Sequence, residues 1–163
     1  MDKNIKIKIE KIVVNVGVGK MSQANDFESR VIPELEKELA LITGQKPQLI
    51  RSKKAISGFK LRIGQVIGIK TTLRGKKAFD FLDRLINIAL PRIKDFRGLN
   101  PSSVDKGGVL NIGLKDKSIF PEIIPEDSKV NFGLEISVVP KIKDREKSVA
   151  LYKELNVPIK KNG

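Results

Sequence analysis

The sequence predicts an α+β fold: a largely antiparallel sheet with its helices packed on one face and a basic loop protruding from it. Several short stretches alternate apolar and polar residues at every second position, and three longer ones repeat apolar residues at helical spacing. These elements fall in the order β-α-β-β-α-β-β-α. With no internal repeat and no low-complexity linker, residues 1–163 read as a single domain.

The first strand runs from Ile5 to Val18. Ile7 and Ile9, then Val14, Val16 and Val18, alternate with opposite-face positions that include Asn15, and Gly17 and Gly19 mark the exit. A helix follows from about Asp26 to Thr43, with Phe27, Val31, Leu35, Leu39 and Ile42 on one stripe and Gly44 suited to cap its end. Pro33 either occupies a first turn or kinks that helix. Beyond Pro47 lies a short strand, Gln48 to Lys53. Ala55 to Gly64 has no clean period and contains two glycines, which predicts a protruding hairpin or loop. Ile67 to Arg74 is a further strand.

Lys76 to Leu90 is the clearest helix, with Phe79, Leu82, Leu85, Ile86 and Ala89 on its apolar side. Asp80 and Arg84 are spaced for an i,i+4 pair, and Pro91 closes the helix. Arg92 to Lys106 reads as mixed loop, then Val109–Leu114 and Phe132–Val139 as strands. Asp144 caps a last helix through about Leu155, with Val149, Leu151 and Tyr152 available for packing. Helices on one face leave the other sheet face bare, a shape suited to reading RNA.

Composition narrows the function. The 40% hydrophobic content of 163 residues supports a real core. Cysteine and histidine are both absent, which removes disulfides, thiolate zinc sites and the commonest acid/base group. The remaining acids are scattered, so no metal site, no cofactor and no enzyme is expected. No apolar run reaches the roughly eighteen residues of a membrane span. Neither a signal nor a transit peptide is visible, so the protein is expected to work where it is made.

The net charge is +13, and its placement is uneven. Between residues 39 and 79 there is no Asp or Glu, while Lys46, Arg51, Lys53, Lys54, Lys60, Arg62, Lys70, Arg74, Lys76 and Lys77 supply ten positive charges. A surface kept basic for solubility alone would intersperse the signs, so this block reads as a footprint for a polyanion. A membrane surface is the rival polyanion. Strand and loop signals with Gly58, Gly64 and Gly68 argue against it, because an interfacial segment needs an amphipathic helix.

Gly17-Val18-Gly19-Lys20 resembles a nucleotide-binding loop only superficially. A P-loop would need glycine at Val14 and a hydroxyl at Met21, and a dinucleotide fingerprint would need glycine at Ser22. A turn at positive φ, or close approach of another backbone, explains these glycines better. Asp80 with Asp83, and Glu34, Glu36 and Glu38, read as salt-bridged solvent faces of helices. Arg74-Gly75 suits a phosphate contact, since arginine grips in a fork and glycine lets backbone come near. Phe59 is either folded under its loop or a platform for a base or ribose. With aromatics at 5% and no tryptophan, recognition should rest on backbone and shape.

Specific motifs sharpen this reading. Ile9-Glu10-Lys11-Ile12-Val13-Val14-Asn15-Val16-Gly17-Val18-Gly19, Thr43-Gly44-Gln45-Lys46-Pro47, Ala55-Ile56-Ser57-Gly58-Phe59-Lys60-Leu61-Arg62 and Thr72-Leu73-Arg74-Gly75 resemble the bacterial form of the large-subunit ribosomal protein L5 family. So do Phe81 to Ile86, Leu90 to Leu99, Ile119 to Ile123 and Gly133 to Ile136, in order and with matching spacing over nearly the whole chain.

The resemblance implies a structural constituent of the large subunit that binds 5S rRNA in the central protuberance, beside large-subunit rRNA and other proteins there. Asn15, Gln45, Arg51, Lys53, Lys54, Lys70, Thr72 and Arg74 are the implied 5S rRNA contacts. The loop Ser57–Gly64 would reach the elbow of the P-site tRNA through Ser57, Gly58, Phe59, Lys60 and Arg62. The surface around Arg92–Leu99 and Asp105–Lys117 would bridge to a small-subunit head protein through Arg92, Lys94, Arg97, Asp105 and Lys115. The implied location is the ribosome, in the cytoplasm or in an organelle.

The sequence also departs from the family pattern. Bacterial relatives usually open with a helix, whereas this chain starts almost at the first strand. Val104 to Leu110 stands where relatives carry an aromatic, an arginine and a tyrosine, Ile63 replaces a polar residue, and Ser137-Val138-Val139-Pro140 replaces a threonine-rich strand end. The competing reading is a free-standing RNA-binding module or chaperone, which would share the basic block but not the motifs elsewhere.

Overall fold

The computed structural model describes residues 8–19, 21–23 and 26–160, apart from the side chains of Gln23 and Phe59. The expected start of the first strand at Ile5–Ile7, and Lys20, lie outside them. Strands β1 (Ile9–Gly17), β2 (Gln48–Arg51), β3 (Val66–Leu73), β4 (Leu110–Leu114) and β5 (Leu134–Pro140) form one sheet in the order β2-β3-β1-β5-β4. Every pairing is antiparallel. Helices α1 (Ile32–Thr43), α2 (Gly75–Arg84) and α3 (Arg145–Glu154) complete the α+β architecture expected from the sequence.

Side-chain alternation separates the two faces of this sheet. On the inner face Ile12, Val14 and Val16 of β1 oppose Leu73, Thr71 and Ile69 of β3, and Val14 and Ile12 oppose Ile136 and Val138 of β5. Leu110, Ile112 and Leu114 of β4 extend the same layer. Ile32, Leu35, Leu39 and Ile42 of α1 and Phe81 and Leu82 of α2 are buried in the same core. Burial of each such side chain stabilises by about 1.5–3 kcal/mol.

Two predicted helices are irregular at one end. A π-helical turn, Phe27–Val31, leads into α1, and Pro33 occupies the second helical position. Pro33 thus stands in the first turn of the regular α-helix, directly after the π-helical turn. Gly44 ends α1 at φ 68°, donating its N–H to Ala40 O at 2.8 Å. The expected Lys76–Leu90 helix is α2, followed by a π-helical turn, Leu85–Ala89, and a 3-10 turn, Leu90–Arg92. In α3, the Asp144 carboxylate accepts from the Lys147 N–H at 2.9 Å, the predicted cap.

Charged groups differ from expectation at two places. Arg84 does not serve the expected i,i+4 pair with Asp80. It pairs with Glu122 and donates to Ile42 O at 3.1 Å, where the last turn of α1 presents unpaired carbonyls to a cation. Glu38 is not on a solvent face. Its side chain and that of Lys117 are only 6% and 5% exposed, and they form a buried ion pair. The Lys117 ammonium also donates to Val130 O and lies 4.4 Å from the Phe132 ring centroid. Sequence spacing could not show this pair, because its members are 79 residues apart.

The Tyr152 hydroxyl ties α3 to the sheet, lying 2.7 Å from Gly108 O and 3.0 Å from Val138 O. Burial pushes its phenol well above the ordinary tyrosine value, so it stays a neutral donor. Thr71 is the exception on the inner face. Its Oγ1 is buried without a hydrogen-bond partner.

Thr71→Val keeps the shape and removes the orphaned hydroxyl, so it should stabilise the fold by about 1 kcal/mol. Calorimetry should show Tm rising by about 2–4 °C. Lys117→Met strands the buried Glu38 carboxylate and should cost about 3–5 kcal/mol in urea unfolding. The double variant Lys117→Met with Glu38→Leu should recover most of that loss.

Candidate nucleic-acid interface

The outer sheet face is built from the positions between the buried ones. Register places Gln48, Lys70, Asn15, Glu135 and Gly113 in one row across all five strands. A second row runs Thr72, Val13, Ser137 and Asn111, and a third Ile50, Gly68 and Gly17. The rows are mostly polar. Ser137 donates to Asn111 Oδ1 at 2.8 Å, and Asn15 Nδ2 lies 3.5 Å from Glu135 Oε2.

Gly17 and Gly68 leave the third row low and flat. A Cβ on Gly68 would stand 3.3 Å from Val16 O, a tight approach to the neighbouring strand, and in ordinary contact with Asn15 Oδ1 at 3.7 Å. The explanation expected for Gly17 and Gly19 does not hold. Neither has positive φ, and a Cβ on either would meet nothing within 4 Å.

Beyond β2 and β3 the chain forms the predicted protruding hairpin. Ile56 and Leu61 exchange both backbone hydrogen bonds at 3.1 Å, and a 3-10 turn, Ser57–Phe59, closes the tip. Lys60 follows in the left-handed region at φ 52°. Arg51 donates to Gly64 O at 2.9 Å, bracing the base of the hairpin. Ser57, Gly58, Lys60 and Arg62 are exposed, while the side chain of Phe59 lies outside the described residues.

The sequence-predicted residues divide into groups. Asn15, Lys70 and Thr72 share the outer face, with Asn15 directly opposite Lys70. Gln45 joins them from the strand edge, donating from Nε2 to Thr72 O at 3.0 Å. Arg51, Lys53 and Lys54 stand exposed at the hairpin base. Arg74 lies at the other end of β3, roughly 27 Å from that base by strand rise. It sits 3.9 Å from Glu10 with its side chain 61% exposed, a pairing weak enough for a phosphate to displace. From Arg51, Lys53 and Lys54 through Lys70 to Arg74 the acid-free block is therefore an elongated band along β2 and β3, continued by Lys76 and Lys77 in the first turn of α2. All its basic residues are exposed except the half-buried Lys70.

Arg92, Lys94, Arg97, Asp105 and Lys115 do not form a single cluster; of these, Lys94, Arg97, Asp105 and Lys115 lie on loops and turns between the elements. Asp105 closes a turn by accepting from the Val109 N–H at 2.9 Å, ahead of β4. Lys115 follows the other end of β4, so roughly 17 Å of edge strand separates them. Sequence reading missed Gln48, Val13, Glu135, Ser137 and Asn111 on the outer face. Period-two alternation in the strands carrying them was the available signal.

Fold and surface together define a class: an α+β protein with one bare, largely polar sheet face and a cationic margin. Among the described residues no group of acids, histidines or cysteines is placed to hold a metal ion, and no helix is long and apolar enough to cross a membrane. Residues 4–62 match the family model described as ribosomal protein L5, and residues 66–159 match the model for the C-terminus of the same ribosomal family. The large ribosomal subunit protein uL5 of Thermus aquaticus is 47% identical over 94% of this chain and 82% of its own length. That of Pelagibacter ubique is 44% identical over 96% and 83%, and uL5c of Stigeoclonium helveticum 46% over 94% and 83%. The chain belongs to the ribosomal protein L5 family, and is a structural ribosomal protein rather than an enzyme.

Proposed function

We propose that this protein is a constituent of the large ribosomal subunit that holds 5S rRNA on its bare sheet face and cationic margin. The observation that carries this reading is the meeting of two independent features. The helices leave one sheet face uncovered, and the acid-free block borders that same face on β2 and β3. Asn15, Gln45 and Thr72 supply neutral hydrogen-bonding groups there, and Lys70, Arg51, Lys53, Lys54 and Arg74 supply charge along the edge. A band rather than a spot of charge suits an RNA backbone.

Two further contacts belong to the same reading. The exposed hairpin tip, with Ser57, Gly58, Phe59, Lys60 and Arg62, reaches toward the elbow of a P-site tRNA. The segments 92–99 and 105–117 face a protein of the small-subunit head. Because Asp105 and Lys115 stand at opposite ends of β4, that contact is spread along the sheet edge. Large-subunit rRNA and other proteins of the central protuberance are its remaining neighbours.

Purified protein should bind 5S rRNA more tightly than a structured RNA of equal length, and keep that lead from about 50 to 200 mM salt. Arg74→Ala and Lys53→Ala should each weaken binding and lower the salt slope by about one. Asn15→Ala and Thr72→Ala should instead reduce the lead and leave the slope unchanged. Equal, steeply salt-dependent binding to both RNAs would favour a free-standing RNA-binding module or chaperone.

A further inference from the structure

We propose that Glu135 is a specificity-determining residue of the sheet face, accepting hydrogen bonds from the Watson–Crick edge of an unpaired guanine in the bound RNA. This inference rests on the proposed RNA-binding function and names the chemistry that one part of the face recognises. Among the described residues that register places on the outer face, Glu135 is the one acid. It sits in the row Gln48, Lys70, Asn15, Glu135, Gly113, and it is exposed.

A carboxylate there repels phosphate, so its presence on a face that carries Lys70 and is bordered by Arg51, Lys53, Lys54 and Arg74 needs a compensating use. Phosphate contact cannot supply one, and a ribose 2′-OH offers only a single donor. Base-edge contact can, because a carboxylate only accepts and base edges carry donors. Guanine presents two adjacent donors, N1–H and the N2 amino group, which match the two oxygens of one carboxylate in a fork. Adenine and cytosine offer a single exocyclic amino group.

The surroundings leave room for such a base. Gly113 beside Glu135 in the row has no side chain, and a Cβ there would meet nothing within 4 Å. Asn15 on the other side donates toward Glu135 Oε2 at 3.5 Å, which restrains the carboxylate and leaves it further lone pairs. Ser137 in the next row is already donating to Asn111, so its hydroxyl does not compete for the Glu135 carboxylate.

Glu135→Gln separates reading from positioning. Glutamine keeps an acceptor oxygen for the Asn15 amide, so a residue that merely orients Asn15 would be rescued by it. Glutamine replaces one acceptor with a donor, so a residue reading two guanine donors would not. Affinity for 5S rRNA and for a structured RNA of equal length would be measured at about 50 and 200 mM salt. Glu28→Gln, an exposed acid on the turn leading into α1, serves as the control for net charge.

The expected result is that Glu135→Gln weakens 5S rRNA binding about tenfold, the scale of one lost bidentate base contact. Binding to the other RNA should tighten slightly, as in Glu28→Gln. Inosine, which lacks the N2 amino group, placed at one unpaired guanine of 5S rRNA should weaken the wild type and leave Glu135→Gln indifferent. Equal tightening of both RNAs by Glu135→Gln, or an unchanged 5S lead, would overturn the proposal while leaving the 5S assignment intact. A wild type without any 5S preference would overturn that assignment, and this one with it.

Discussion

Antiparallel pairing around β1 decides which residues of this molecule meet solvent. β1 lies at the centre of the sheet, with β3 on one side and β5 on the other, so its alternation sets the faces of both neighbours. Because Ile12, Val14 and Val16 turn inward, Val13 and Asn15 must turn outward, and Lys70, Thr72, Glu135 and Ser137 turn outward with them. A slip of one residue would bury Asn15 and Lys70 and expose a row of valines. The cost of that exchange, several buried aliphatic side chains at about 1.5–3 kcal/mol each, is what pins the outer face in register. Placement of the polar site is thus a by-product of packing the apolar one.

The helical layer is held by charges that surface reasoning would not assign to it. The connection between β4 and β5 reaches across to the helices twice, through Lys117 to Glu38 of α1 and through Glu122 to Arg84 of α2, whose guanidinium also binds the last turn of α1. A buried ion pair is costly to desolvate and weak evidence of net stability. Its value here is geometric. Lys117 is surrounded by a carboxylate, a carbonyl and an aromatic face, and the connection must be placed to satisfy all three. The helices are thereby fixed over the inner face and kept off the outer one. The β2–β3 hairpin contrasts with this, since its tip is joined by one pair of backbone bonds and exposes most of its side chains.

Most of the fold was readable in the sequence because its signals are local. The alternation of Val14, Val16 and Val18, the stripe from Phe27 to Ile42, Gly44 after Thr43 and Asp144 before Arg145 each specify an element within a few residues. What the sequence hid is what depends on distant partners. Asp80 to Arg84 has the right spacing for a pair, yet Arg84 finds a stronger setting at Glu122 and the end of α1. Glu38 looks like its solvent-facing neighbours until Lys117 arrives from the far side of the chain. At the interface, the charge block was visible because it is contiguous in sequence. The polar rows were not, since Gln48, Asn15, Glu135 and Asn111 come from four strands and meet only through register.

The outer face is consequently graded across its width. Positive charge lies along β2 and β3, Lys11 and the Asn15 amide occupy β1, the Asn111 amide lies on β4, and β5 contributes the Ser137 hydroxyl and a carboxylate. A uniformly basic face would bind any RNA backbone, with affinity set by ionic strength. Grading divides the work. On the proposed reading the basic edge supplies attraction without sequence information, while the polar groups beyond it keep free lone pairs and protons for a nucleotide with matching donors and acceptors. On the same reading an acid on β5 would penalise an RNA that slides across in the wrong register, since its phosphates would approach Glu135 without a compensating bond. Discrimination is a difference between two affinities, and a repulsive group lowers the wrong one. Glu10 of β1 lies beside Lys11 and Arg74, so Glu135 is the carboxylate that the proposed reading assigns to that repulsive term.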